Sequence, residues 1–220
     1  MYGKWLGIFP AISSFAWLGT IVALFVLWAS HGEIAYKTGS ASISYISTVG
    51  AHYKTLFVVG ACVTAAFFAA TLLIFLFHHR QANGHLPVRT WSDAVAFLLG
   101  IASISGLVLL SVFDSIRHDA AHWIFTLIFA SGAILCAIFN LIGVSVFRHA
   151  KSRKKVSYYL KMLFILSATA LLVTMIVLIV SCSSNAIDSC NDRHSAAAVL
   201  EWILALLFFV FVLTWVMDFA

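Results

Sequence analysis

Four residues in one short stretch have the types and the spacing to do chemistry: Asp114, His118, Asp119 and His122. Asp114, His118 and His122 recur at i, i+4 and i+8, so a continuous helix would stack them on one face. Histidines at that spacing can share a zinc ion, with a carboxylate as third ligand and an activated water in the open position. Such a centre would hydrolyse a lipid ester or amide at a membrane surface. The same residues have a plainer reading, in which Asp caps a helix and the histidines sit in a polar interhelical turn. That reading carries more weight, because short histidine spacings recur without metal, and no cofactor is expected. His194, Asp188 and Asp192 form a second polar group that offers a further ligand.

Glu201 stands in Leu200-Glu201-Trp202, about two turns inside an apolar run. An ionised carboxylate at the centre of a bilayer costs roughly 2.5–3.5 kcal/mol on insertion scales, so this one needs a partner or a wet cavity. His118, His122 and Arg117 are the candidates at the same depth. A functional site and a structural clasp between helices are equally compatible with the pattern.

The strongest electrostatic feature is basic: Arg148, Lys151, Arg153, Lys154 and Lys155, with Lys161 one turn into the next apolar run. A juxtamembrane cluster of this kind is attracted to anionic lipid by about 1 kcal/mol per charge. It also serves simply to orient a membrane protein, and it suits an acidic cytosolic partner.

These residues must be positioned by membrane-spanning helices. Of the 220 residues, 63% are hydrophobic and 10% charged, whereas a soluble domain is about 25% charged. A bilayer core of roughly 30 Å needs about 20 apolar residues as a helix. Six such runs are present, at about 5–29, 55–77, 92–113, 122–147, 159–182 and 196–217. The first is too long for a signal-peptide core and reads as a retained anchor. Membrane strands are excluded, because they need short segments of alternating polarity. The expected fold is an all-α bundle of six transmembrane helices forming a single domain over 1–220.

Lys4, Arg80, Arg89, Arg148, Lys151, Arg153, Lys154, Lys155 and Lys161 fall on one side, against Lys37, Lys54, Arg117 and Arg193 on the other. The excess predicts cytoplasmic termini and makes the net charge of +5 a matter of orientation rather than nucleic-acid binding. Trp5, Trp28, Trp91, Trp123, Trp202 and Trp215 lie near the ends of the runs and read as interfacial anchors. Gly60, Gly100, Gly106 and Gly132 suit close helix packing. Cys182 and Cys190 bracket one non-cytoplasmic segment and can form a disulfide there, or can point apart. Cys62 and Cys136 read as packed small hydrophobes.

Nearly the whole chain resembles the DRAM/Frag/Sfk family of six-span eukaryotic membrane proteins. The likeness is carried by Phe9-Pro10, Trp17-Leu18-Gly19, Trp28 with His31-Gly32, the Gly100 to Leu110 stretch, His118-Asp119, Leu200-Glu201-Trp202 and Asp218-Phe219. Tyr45-Ile46-Ser47-Thr48-Val49-Gly50-Ala51 is similar to the family's Y-I-S-D-x-G signature, with Thr48 in the place of the usual Asp. The first-span match is nearest the fungal Sfk-like branch. That resemblance implies a plasma-membrane protein linked to recruiting a phosphatidylinositol 4-kinase complex and to lipid asymmetry. The Frag-like branch implies remodelling of glycosylphosphatidylinositol anchors in the Golgi or endoplasmic reticulum, and the DRAM branch implies modulation of autophagy at lysosomal membranes.

The leading expectation is a non-enzymatic membrane regulator that organises or binds phospholipid, anionic lipid above all, and docks a cytosolic lipid-kinase complex through the basic face. Tyr45, Ser47, His118, Asp119 and Glu201 would form its polar cap and headgroup site. The rival is a lipid-remodelling enzyme using Asp114, His118, His122 and Glu201 as metal ligands or acid and base. A transporter is less consistent, since few intramembrane charges mark a path.

Overall fold

The computed structural model describes residues 3–32, 42–82, 87–145, 152–182 and 187–219. Those residues form eight helices: α1 (Gly3–Leu6), α2 (Ile8–Ser30), α3 (Ile46–His52), α4 (Lys54–Ala82), α5 (Pro87–Val112), α6 (Asp119–Ser145), α7 (Ser152–Val180) and α8 (Ile187–Asp218). Six of them are long and apolar enough to cross a membrane, and the chain is a multi-pass membrane protein. At about 1.5 Å per residue the shortest of the six, α2 with 23 residues, reaches roughly 35 Å. An even number of crossings brings the start of α2 and the end of α8 to the same end of the bundle. The short helix α3 lies at the opposite end.

The six long helices are neighbours in chain order, and α8 closes the ring against α2. The middle is filled by aromatic side chains. Phe164 and Phe211 stack at 4.6 Å, Phe129 meets Phe208 edge-on at 4.9 Å, and Phe75 meets Trp215 at 4.8 Å. Edge-on pairs of this kind place the positive ring edge on the negative face of the neighbour. In lipid no hydrophobic force drives helices together, so close packing and interhelical hydrogen bonds must do so. Both are present. Trp17 donates to the Ala205 carbonyl at 2.9 Å, Ser13 to that of Thr64 at 2.8 Å, and Ser103 to that of Phe129 at 2.8 Å. Between α5 and α6, a methyl group on Gly106 would lie 2.8 Å from the Phe129 amide nitrogen, so only glycine allows the backbones this approach.

Several sequence expectations are corrected. Trp28 and Trp215 are buried, because the ring of helices turns both indoles inward, and the interfacial role passes to the exposed Trp5 and Trp91. Cys62 is exposed on the outer face of α4, while Cys136 is buried as expected. Lys161 is not available to lipid: it is 1% exposed, since its ammonium pairs with the Asp218 carboxylate, donates to Asn140 Oδ1 at 2.7 Å and sits over the Trp215 ring. Ser157 donates to the other Asp218 oxygen at 2.7 Å. Asp218 is therefore a partner inside the bundle. Among the remaining basic residues, Lys155 is exposed at the start of α7 and Arg153 and Lys154 belong to the same helix. Arg148 and Lys151 lie outside the described residues.

Candidate functional site

The site grows from the loop that carries α3. Gly32, at φ +82°, ends α2 in the left-handed conformation that glycine adopts without strain. Residues 42–45 then run along α8. The Ser42 amide donates to Ser195 Oγ at 2.8 Å, Asn191 donates to Ser42 Oγ at 2.9 Å, and the Trp202 indole donates to the Ser44 carbonyl at 3.0 Å. The Tyr45 hydroxyl meets His194 Nδ1 at 2.9 Å. Burial, and then the neighbouring Glu201 carboxylate, push the Tyr45 phenol well above its ordinary pKa. The hydroxyl therefore stays protonated and donates, so Nδ1 of His194 accepts.

Helix α3 follows, with Ile46, Ser47, Thr48, Val49 and Gly50 all buried. Its first turn has amide donors without intrahelical partners. The Glu201 carboxylate supplies an acceptor, taking hydrogen bonds from the Ser47 hydroxyl and from the backbone N–H groups of Ser47 and Ile46. Glu201 therefore has a different partner from the three expected. Its second oxygen, Oε2, is buried with no hydrogen-bond partner among the described residues.

The stack of Asp114, His118 and His122 that a continuous helix would give does not form, because α5 ends at Val112 and α6 begins at Asp119; Asp114 and His118 lie in an interhelical turn, the reading that carries more weight. Asp114 instead organises the intervening turn. It pairs with Lys54 at 2.9 Å and accepts from the Arg117 amide at 2.8 Å and the Ile116 amide at 3.3 Å. Burial works to raise this carboxyl, but the Lys54 ammonium and the two amides outweigh it and hold the group below its usual value. His118 is exposed, edge-on to the Phe113 ring. His122 is buried, with Nδ1 3.0 Å from both the Leu110 and Phe113 carbonyls. Carbonyls only accept, so Nδ1 carries the proton and Nε2 is an acceptor in the neutral ring. Among the described residues no group of three His, Cys, Asp or Glu side chains converges as metal ligands.

What does converge is a cavity of about 240 Å³ between α3, α6, α7 and α8. Tyr45, Ser47 and Thr48 line it from the α3 segment, Ser115 from the turn, and Asp119, His122, Trp123 and Thr126 from α6. Met175 and Ile179 come from α7, and His194 and Glu201 from α8. Of the expected cap residues, Tyr45, Ser47, Asp119 and Glu201 are brought together. His118 is the correction, because the break before α6 leaves it outside. His122 and Glu201 share the lining, and Asp114 is held apart by Lys54. Ser115 and Thr126 were not legible as site residues, since a lone hydroxyl in an apolar run has no spacing signal. Ser115 Oγ, like Glu201 Oε2, is buried and has no hydrogen-bond partner among the described residues.

Helix α7 is the most peripheral wall: 17% of its apolar window is buried within the protein, against 33–44% for the other five. Its far end is joined to α8 by a disulfide between Cys182 and Cys190, whose Cα atoms are 5.4 Å apart. Arg193 donates to the Ser181 carbonyl at 2.7 Å beside it.

A ring of six apolar helices with a small polar cavity near one end defines a multi-pass membrane protein. Residues 5–220 match the Frag1/DRAM/Sfk1/Cwh43P N-terminal domain, and the chain belongs to that family. It is similar to protein sfk1 of Schizosaccharomyces pombe, at 24% identity over 226 residues covering 100% of this chain. The chain spans 65% of that relative's length. No solved structure matches.

Proposed function

We propose that this protein is a non-enzymatic regulator that holds a phospholipid headgroup in the cavity under α3, on the exoplasmic side, and engages cytosolic machinery at the other end. The observation that carries this reading is the cavity itself. Two of its buried polar atoms, Glu201 Oε2 and Ser115 Oγ, have no hydrogen-bond partner among the described residues, and an unmet buried polar group costs about 1–3 kcal/mol unless something fills the site. The apolar members Trp123, Met175 and Ile179 lie on α6 and α7, the side where acyl chains would leave for the bilayer.

The basic residues from Arg148 to Lys155 support the second half. Their excess on one side orients that end to the cytoplasm, and the cluster suits anionic phospholipid or an acidic surface of a lipid-kinase complex. Plasma-membrane residence and a role in phosphoinositide balance accord with the likeness to sfk1.

A phospholipid with a photoreactive group near its glycerol tests the cavity. The expected cross-links fall on α6 between Asp119 and Thr126 and on α7 between Met175 and Ile179. Labelling spread evenly around the six outer faces would contradict the reading.

A second reading, remodelling of glycosylphosphatidylinositol anchors, draws on the same cavity. His122 and Glu201 both line it, and an imidazole facing a carboxylate can move protons. Hydrolysis of a labelled anchor lipid that is lost in His122→Ala would favour it.

A further inference from the structure

The hydrogen bonds that Glu201, His122, His194 and Ser115 make within the protein fix what each can still offer a ligand in the cavity they line. Glu201 accepts from the Ser47 hydroxyl and from the amides of Ser47 and Ile46, yet its Oε2 has no donor among the described residues. His122 holds its proton at Nδ1 against two carbonyls, so in the neutral ring Nε2 accepts. His194 has the opposite arrangement. Its Nδ1 accepts from Tyr45, so its hydrogen is on Nε2, which donates. Ser115 Oγ, buried and with no hydrogen-bond partner among the described residues, can do either.

Charge does not choose the ligand. Arg117 precedes α6 and Asp119 opens it, both are exposed and opposite in sign, and Asp119 has an interaction of its own within the protein. Water and salt screen such charges, and the Glu201 carboxylate already accepts from the start of α3. The wall therefore asks for donors and acceptors together. A phosphate only accepts, and leaves Glu201 Oε2 and His122 Nε2 unmet. A quaternary ammonium does neither, and a primary ammonium only donates, which gives the His194 N–H no acceptor. A hydroxyl does both. Two neighbouring hydroxyls bring two O–H groups for Glu201 and His122, and lone pairs for His194 and Ser115. The cavity of about 240 Å³ equals roughly eight waters at about 30 Å³ each, room for one hydroxylated ring or short chain. Trp123 adds a flat apolar wall for its C–H side.

We infer that the cavity recognises neighbouring hydroxyl groups of a polyol headgroup, with Glu201 and His122 accepting from them, His194 donating to them and Ser115 doing both. The Ser47 hydroxyl takes no part, since it is bonded to Glu201. This inference rests on the lipid-headgroup reading above and narrows it to one headgroup chemistry.

Native mass spectrometry of the full chain, titrated separately with four lipids of identical acyl chains, tests it. Phosphatidylinositol and phosphatidylglycerol carry neighbouring hydroxyls, phosphatidic acid is anionic without them, and phosphatidylethanolamine carries an ammonium instead. The first two should bind at least about tenfold more tightly than the others, because a site built to hydrogen-bond a hydroxyl rejects analogues that lack it. Ser115→Ala should weaken phosphatidylinositol roughly threefold to tenfold and leave phosphatidic acid unchanged. Thr126→Phe, which fills the cavity, should abolish specific binding. Phosphatidic acid matching phosphatidylinositol, with phosphatidylethanolamine weak, would overturn the hydroxyl assignment in favour of negative charge. Phosphatidylethanolamine binding best would overturn it in favour of an ammonium. Equal binding of all four, still lost in Thr126→Phe, would overturn it and leave the headgroup site standing. Absence of specific binding by any of them would overturn both. Free inositol or glycerol binding as tightly as its phospholipid would overturn the lipid source in favour of a soluble polyol.

Discussion

Tyr45 and His194 are separated by 149 positions in the chain and meet at 2.9 Å, so one hydrogen bond ties the α3 segment to α8 over the cavity. The bond has a defined direction, because a phenol held above its ordinary pKa is a donor at every physiological pH. Tyr45→Phe removes the donor and should cost roughly 0.5–1.5 kcal/mol, seen as a lower unfolding temperature of the detergent-solubilised protein. Its pH dependence has a definite sign. A folded-state pKa above the usual value of about 10 means that the contribution is complete below pH 10 and is lost only as pH rises further. In absorbance at 295 nm, a tyrosine component should titrate well above pH 10, and Tyr45→Phe should delete it.

The Lys161–Asp218 pair should behave as a buried ion pair at the other end of the bundle. Removing one member strands the other charge, at a cost of about 3–5 kcal/mol, whereas replacing both by apolar residues of similar size is often near neutral. Lys161→Met and Asp218→Leu should each lower stability sharply, and the double variant should recover most of the loss. Additive losses in a double-mutant cycle would show that the two side chains do not depend on each other.

Asp114 makes an acid-side prediction. Its folded-state pKa is held down by Lys54 and two amides, so the stabilisation is present above the ordinary pKa near 3.9 and is lost as pH falls below it. The gap in unfolding temperature between the native chain and Asp114→Asn should be constant from pH 7 to pH 5 and should close below about pH 4. Lys54 is 39% exposed, so added salt should narrow the gap as well.

Close contact between α5 and α6 should tolerate no side chain at Gly106. A Cβ there would lie 2.8 Å from the Phe129 nitrogen and 3.0 Å from the Phe125 carbonyl oxygen, both backbone atoms that cannot swing aside. Gly106→Val should reduce the yield of monodisperse protein. Gly19→Ala, with nothing within 4 Å of the added methyl group, should not.

The spans were readable from the sequence because bilayer thickness imposes a length and lipid imposes a composition. The first expected run, 5–29, corresponds to Ile8–Ser30, and the last, 196–217, lies within Ile187–Asp218. Which way a residue faces was not readable, since all-round hydrophobicity erases the helical stripe. Trp28 and Trp215 looked like anchors by position and are core residues. Lys161 looked like part of a basic patch, because its acidic partner Asp218 is 57 residues away. Helix α3 was invisible as an element, being a short segment of small and β-branched residues, although Tyr45 just before it and Ser47 within it were legible as cap residues. His118, expected in the polar cap, is absent from the cavity lining and lies in the turn that Asp114 builds.

The central claim, a phospholipid headgroup held under α3, is tested most directly by native mass spectrometry of the protein as purified. One phospholipid per chain should remain bound under gentle activation, and Thr126→Phe should release it while leaving the unfolding temperature nearly unchanged. A chain that carries no lipid, or that carries one zinc ion lost on His118→Ala, would contradict the account.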